Sequence, residues 1–146
     1  MAYLTGEYIC RIAILSDLQI DYHDEETLSA VCSFLGDFQP DTLVFNGDVI
    51  DATAVGSFRK SPVDAGSFDE QLEWTRYWLV RIQGAAAAFG VLPRTIYIDG
   101  NHEARLQNYL LDRAPELDGL VSLGDLLRLK LMGIEHITPY GAAFEW

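Results

Sequence analysis

Three short polar clusters interrupt otherwise apolar runs: SDLQ at 16–19, NGDVID at 46–51 and DGNHE at 99–103. Their side chains are of the kind that hold hard cations. Asp17 and Asp48 offer anionic oxygens, Asn101 an amide carbonyl, and a nearby imidazole, His102, extends the set. Two divalent ions ~3.5–4 Å apart could share one bridging carboxylate and clamp a phosphoryl oxygen between them. Gly47 and Gly100, with no Cβ, allow tight turns that aim their neighbours into one small volume. The plainer reading is three ordinary turns, because Asn-Gly and Asp-Gly are common turn dipeptides. For one cluster alone that reading is the better one. Three in succession, each directly after a strand-like run, reverse the preference.

Those runs are the elements that must position the clusters. RIAILS (11–16), TLVFNGD (42–48) and RTIYID (94–99) are short β-favouring segments, and the first is expected to be a buried parallel strand. Between the first two, residues 24–38 place Leu28, Val31, Cys32 and Leu35 at helical spacing, with acids in the first turn. Strand, helix, strand predicts a βαβ unit with parallel pairing. A polar stretch follows, then a long amphipathic helix over 68–89 with Leu72, Trp78, Leu79 and Ile82 inward. Trp74, Tyr77 and Trp78 are read as core and rim packing. A third helix is expected over 103–111, a short one over 122–130, and a β-like segment over 134–138. In open α/β sheets ligands bind outside the C-terminal strand ends, so the three clusters should converge. The expected class is α/β, with a largely parallel sheet and flanking helices.

Bulk properties narrow the function. A chain of 146 residues with 49% apolar and 12% aromatic content suits one folded domain. A net charge of −12 repels phosphate backbones and anionic lipid, so an anionic substrate needs a local positive centre such as a bound cation. Nucleic acid is therefore expected only as a substrate, and a membrane not at all. Cys10 and Cys32 have no metal-type spacing and read as reduced, buried thiols of an intracellular, cytoplasmic protein.

The three clusters also resemble the first three motifs of the calcineurin-like metallophosphoesterases, D-x-H, G-D-x-x-D and G-N-H-[DE]. YHD (22–24), RAPEL (113–117) and GIEHITPYG (133–141) look like the phage and bacterial branch of that family. The resemblance covers nearly the whole chain. It implies the N-terminal part of a β-sandwich (αββα) fold and a hydrolase of phosphate mono- or diesters that uses two divalent ions (Mn²⁺, Mg²⁺, Fe or Zn²⁺). By the same resemblance Asp17 holds the first metal, Asp48 bridges both and Asn101 holds the second. His102 contacts the phosphate and protonates the leaving oxygen. Asp51 and Glu103 orient loop or imidazole from behind, as outer carboxylates commonly do. Arg105, one turn into the next helix, is placed to reach a phosphate oxygen or simply to be solvated.

Two departures from the family pattern qualify this. Gln19 stands where the first motif usually has His; if it ligates through its oxygen, the site shifts toward Mg²⁺ or Mn²⁺. His23, in the loop to the first helix, is assigned a structural or rim role. The later family motifs supply three imidazoles, whereas this chain has three histidines in all and none in such a context; His136 reads as a strand residue. The expectation is an N-terminal portion: a truncated gene, a split gene, or a fragment whose metal site a second chain completes. The alternative is a non-catalytic scaffold or inactive fragment of the same fold that binds a partner.

Overall fold

In the computed structural model, residues 10–56 and 67–138 are described. The strands β1 (Ile12–Leu15), β2 (Thr42–Asn46), β3 (Arg94–Ile98) and β4 (Ile134–Ile137) form one sheet in sequence order, every pair parallel. Leu15, Phe45, Tyr97 and His136 lie in register across it. The C-terminal ends of the strands therefore share one edge, as the polar clusters require.

The helices start and stop for local reasons. Helix α1 (Glu25–Phe38) is capped by Asp24, whose side chain accepts from the Thr27 amide, and it ends where Gln39 turns left-handed. Helix α2 (Phe68–Ala85) begins with a capping box between Ser67 and Glu70. It stops four residues before the expected Phe89. There Ala88 and Val91 exchange backbone hydrogen bonds around Phe89 and Gly90, both at positive φ. The tight turn that returns the chain to β3 overrides the helical preference of the alanine run. Helix α3 (Ala104–Arg113) and the four-residue α4 (Leu123–Leu126) complete the set.

Alternation along the strands sends Leu43, Phe45, Tyr97 and Ile134 to one face. They form a single core with Leu35 of α1, Trp78, Leu79 and Ile82 of α2, and Leu127 and Leu129. The other face corrects an expectation: β1 is an edge strand, and Ile12 (53%) and Ile14 (64%) are exposed rather than buried. The thiols differ likewise. Cys10 is exposed and Cys32 half-buried, both free, and partial burial pushes the Cys32 thiol up. Cys10 lies just before the edge strand. No helix among the described residues is long and apolar enough to cross a membrane.

Candidate functional site

Past the end of β1 the chain stays locked to the loop after β2. The Asp17 amide donates to the Gly47 carbonyl (3.1 Å), Gln19 to Asp48 (3.0 Å), Ile20 to Val49 (2.9 Å), and Asp51 back to Ile20 (2.9 Å). Within this short ladder Asp17, Gln19 and Asp48 have φ of 56°, 45° and 53°. Left-handed backbone at non-glycine residues costs on the order of 1–3 kcal/mol each and persists only where its surroundings enforce it. All three are candidate metal ligands.

Much of that enforcement comes from Glu103, a buried carboxylate at the start of α3. Its Oε2 accepts from the amides of Asp48 (2.9 Å) and Gly100 (2.8 Å). Its Oε1 accepts from the amides of Val49 (2.8 Å) and Ile50 (3.4 Å) and from the Tyr97 hydroxyl (2.8 Å). An ionised carboxylate has about four lone-pair positions, so this cluster saturates it. Glu103 therefore holds the second loop against the third. The third loop approaches so closely that a Cβ on Gly100 would lie 2.2 Å from Asp48 Oδ1 and 2.5 Å from Asp48 N. The His102 amide in turn donates to Asp48 Oδ1 (3.0 Å).

Around His102 the groups suit proton handling. Arg105 Nη2 lies 3.1 Å from His102 Nε2, and a guanidinium carries only donors, so Nε2 accepts and the ring proton sits on Nδ1. Nδ1 faces Asp51 Oδ1 at 3.1 Å, an ion-pair distance without hydrogen-bond alignment. Arg105 also donates to the Asp51 carbonyl (2.6 Å) and pairs with its carboxylate (3.4 Å).

Each candidate residue has a definite place. Asp17 and Asn101 are exposed at the strand-end edge, Gln19, Asp48, His102 and Arg105 half-buried, and Asp51 and Glu103 buried. Backbone contacts bring the 17–19, 47–51 and 100–103 segments together around Asp48. His23 stands apart, its ring edge-on to Trp78 (centroids 5.2 Å) with both nitrogens buried. His136 is the strand residue expected, yet it is not idle: its Nε2 lies 2.7 Å from Asp99 Oδ1, and that hydrogen bond raises the imidazole pKa above its ordinary value. Gly124 leaves the room for its ring, since a Cβ there would meet Nδ1. Tyr97 escaped the sequence reading because it sits mid-strand in an apolar run. Its only cue was a hydroxyl at an inward position, which a buried tyrosine must satisfy.

Among the described residues no three His, Cys, Asp or Glu side chains are grouped to hold a metal. The candidate donors are two carboxylates and two amide oxygens, all hard. This set suits an oxygen-preferring ion such as Mg²⁺ or Mn²⁺ better than a thiolate- or imidazole-preferring one.

The family model for calcineurin-like phosphoesterases matches residues 10–141. The chain belongs to that family. Calcineurin-like phosphoesterases are metal-dependent hydrolases, which fits oxygen donors at the strand ends. Among curated proteins, the chain is 33% identical over 113 residues to the Gene 54 protein of Mycobacterium phage D29, covering 73% of this chain and 41% of the relative. It is 30% identical over 117 residues to the Gene 54 protein of Mycobacterium phage L5, covering 77% and 43%. The chain thus spans under half the length of these phage relatives. No solved structure matches it.

Proposed function

We propose that this calcineurin-like phosphoesterase hydrolyses phosphate mono- or diesters at a dinuclear divalent-metal site on the strand-end edge. The observation that carries the reading is the left-handed backbone at Asp17, Gln19 and Asp48, strain gathered on three candidate ligands. Asp17, the Gln19 carbonyl, Asp48 and Asn101 would hold the ions, with Asp48 between the other donors. Divalent ions would supply Lewis acidity that acidifies water and neutralises phosphate charge. Once Arg105 has swung from His102 Nε2 onto a phosphate oxygen, Nε2 takes up a proton from solvent and passes it to the leaving oxygen. Asp51 and Glu103 fix the imidazole and the Asp48 loop from behind.

The purified chain with Mn²⁺ should cleave an aryl phosphodiester, and Asp48→Asn should abolish that cleavage, because one substitution removes the bridging anion from both ions. The substitution leaves the backbone bonds of residue 48 in place, so an unfolding curve will show whether the loss is local. No turnover with Mn²⁺, Mg²⁺, Fe²⁺ or Zn²⁺ would contradict activity in the chain alone.

A second reading draws on the sheet. Parallel sheets are ordinarily covered on both faces, yet here Ile12, Ile14 and Ile137 stand exposed on one. That surface, with a donor set short of imidazoles, fits a second polypeptide that covers the face and completes the metal site. A non-catalytic scaffold would use the same face. Light scattering that shows self-association, with no stoichiometric metal in elemental analysis, would favour the scaffold.

A further inference from the structure

Glu103 receives four amides and one phenol, and only the phenol comes from a strand of the sheet. We propose that Tyr97 is a positioning residue for the metal seat, acting through Glu103 to keep the Asp48 loop in the conformation that presents its carboxylate. The inference rests on the metal reading above. Three of the amides, at Asp48, Val49 and Ile50, belong to the loop being held, and the fourth, at Gly100, belongs to the loop pressed against it. A carboxylate fixed only by those four would be free to drift with the loops.

Tyr97 breaks that circularity. It lies on β3, which is paired on both sides by β2 and β4, and it is fully buried. Its ring is flanked by Phe45 (centroids 6.2 Å) and by His136 (5.9 Å), itself tied to Asp99. The hydroxyl therefore offers Glu103 a reference point anchored in the sheet. Burial, with Glu103 alongside, drives the phenol pKa well above its ordinary value, so the group remains a donor. The chain of contacts runs Tyr97 hydroxyl, Glu103 Oε1, Glu103 Oε2, Asp48 amide. Rigid support behind a ligand is worth about 10–100-fold in metal affinity in other sites.

Tyr97→Phe removes one oxygen and keeps the ring. Isothermal titration of the folded variant with Mn²⁺ should show affinity at least about tenfold below wild type. In the metal-free state, amide hydrogen exchange at Asp48, Val49 and Gly100 should quicken. Thr95→Val is the control. Thr95 is on the same strand, and the substitution removes a buried hydrogen bond that Gln83 Nε2 donates to Thr95 Oγ1 (3.1 Å), so it should lower the melting temperature without changing Mn²⁺ affinity. A Tyr97→Phe chain that does not fold, or folds with unchanged affinity, overturns the positioning role and leaves the metal reading standing. Wild type that takes up no Mn²⁺ removes the metal reading, and the role with it.

Discussion

Glu103→Ala is expected to destabilise the fold by about 3–5 kcal/mol, because it leaves several buried donors without the acceptor they share. The carboxylate is buried and accepts from five donors. Each buried donor left without a partner costs about 1–3 kcal/mol. The sum is not additive, because water entering the space vacated by the side chain satisfies some of them. Against a total stability of roughly 5–15 kcal/mol, the loss leaves a marginal domain. Glu103→Gln should do less harm: its oxygen still serves Val49 and Tyr97, while its amino group is turned on the Asp48 and Gly100 amides. Urea unfolding followed by far-ultraviolet circular dichroism reads both. If Glu103→Ala cost no more than Arg94→Ala, which breaks only an exposed pair with Glu135, the network would not be holding the loops.

Gly100→Ala tests the same junction by adding volume. The new Cβ would lie 2.5 Å from a backbone nitrogen, which cannot step aside as a flexible side chain can. Either the 99–101 segment lifts from the Asp48 loop or the Asp48 loop backs away. In both cases the bond from the His102 amide to Asp48 Oδ1 is lost. Overpacking of this kind costs about 1–3 kcal/mol, so the domain should still fold. Mn²⁺ binding and any hydrolysis should fall much further than stability does. A variant with lowered stability but wild-type Mn²⁺ affinity would show that the seat does not depend on this contact.

The sequence made the sheet legible because the strands are short apolar runs, each ending at a polar cluster. Residues 12–15, 42–46 and 94–98 form the three strands expected, and the 134–138 segment joins as a fourth, parallel one. Two things were not legible for physical reasons. Whether a strand lies at an edge depends on neighbours, so Ile14 looked buried in sequence and stands exposed in the fold. The end of α2 was set by the route back to β3 rather than by local preference. At the candidate site, residue types and spacing indicated which side chains could bind an ion. They could not indicate the left-handed backbone at Asp17, Gln19 and Asp48, or that one carboxylate, Glu103, gathers amides more than fifty residues away. Those are long-range facts. The pairing of His136 with Asp99 is another, since it depends on β4 lying beside β3.

The central claim is that Asp17, Asp48 and Asn101 contribute to one metal site, and paramagnetic broadening tests it most directly. Substoichiometric Mn²⁺ is added to the ¹⁵N-labelled chain and amide signals are followed across the protein. A shared seat predicts that residues 17–19, 47–51 and 100–103 broaden together, while Arg94 and Glu135 at the opposite end of the sheet stay sharp. Broadening of one cluster without the other two, or broadening only at acidic surface residues elsewhere, would contradict it.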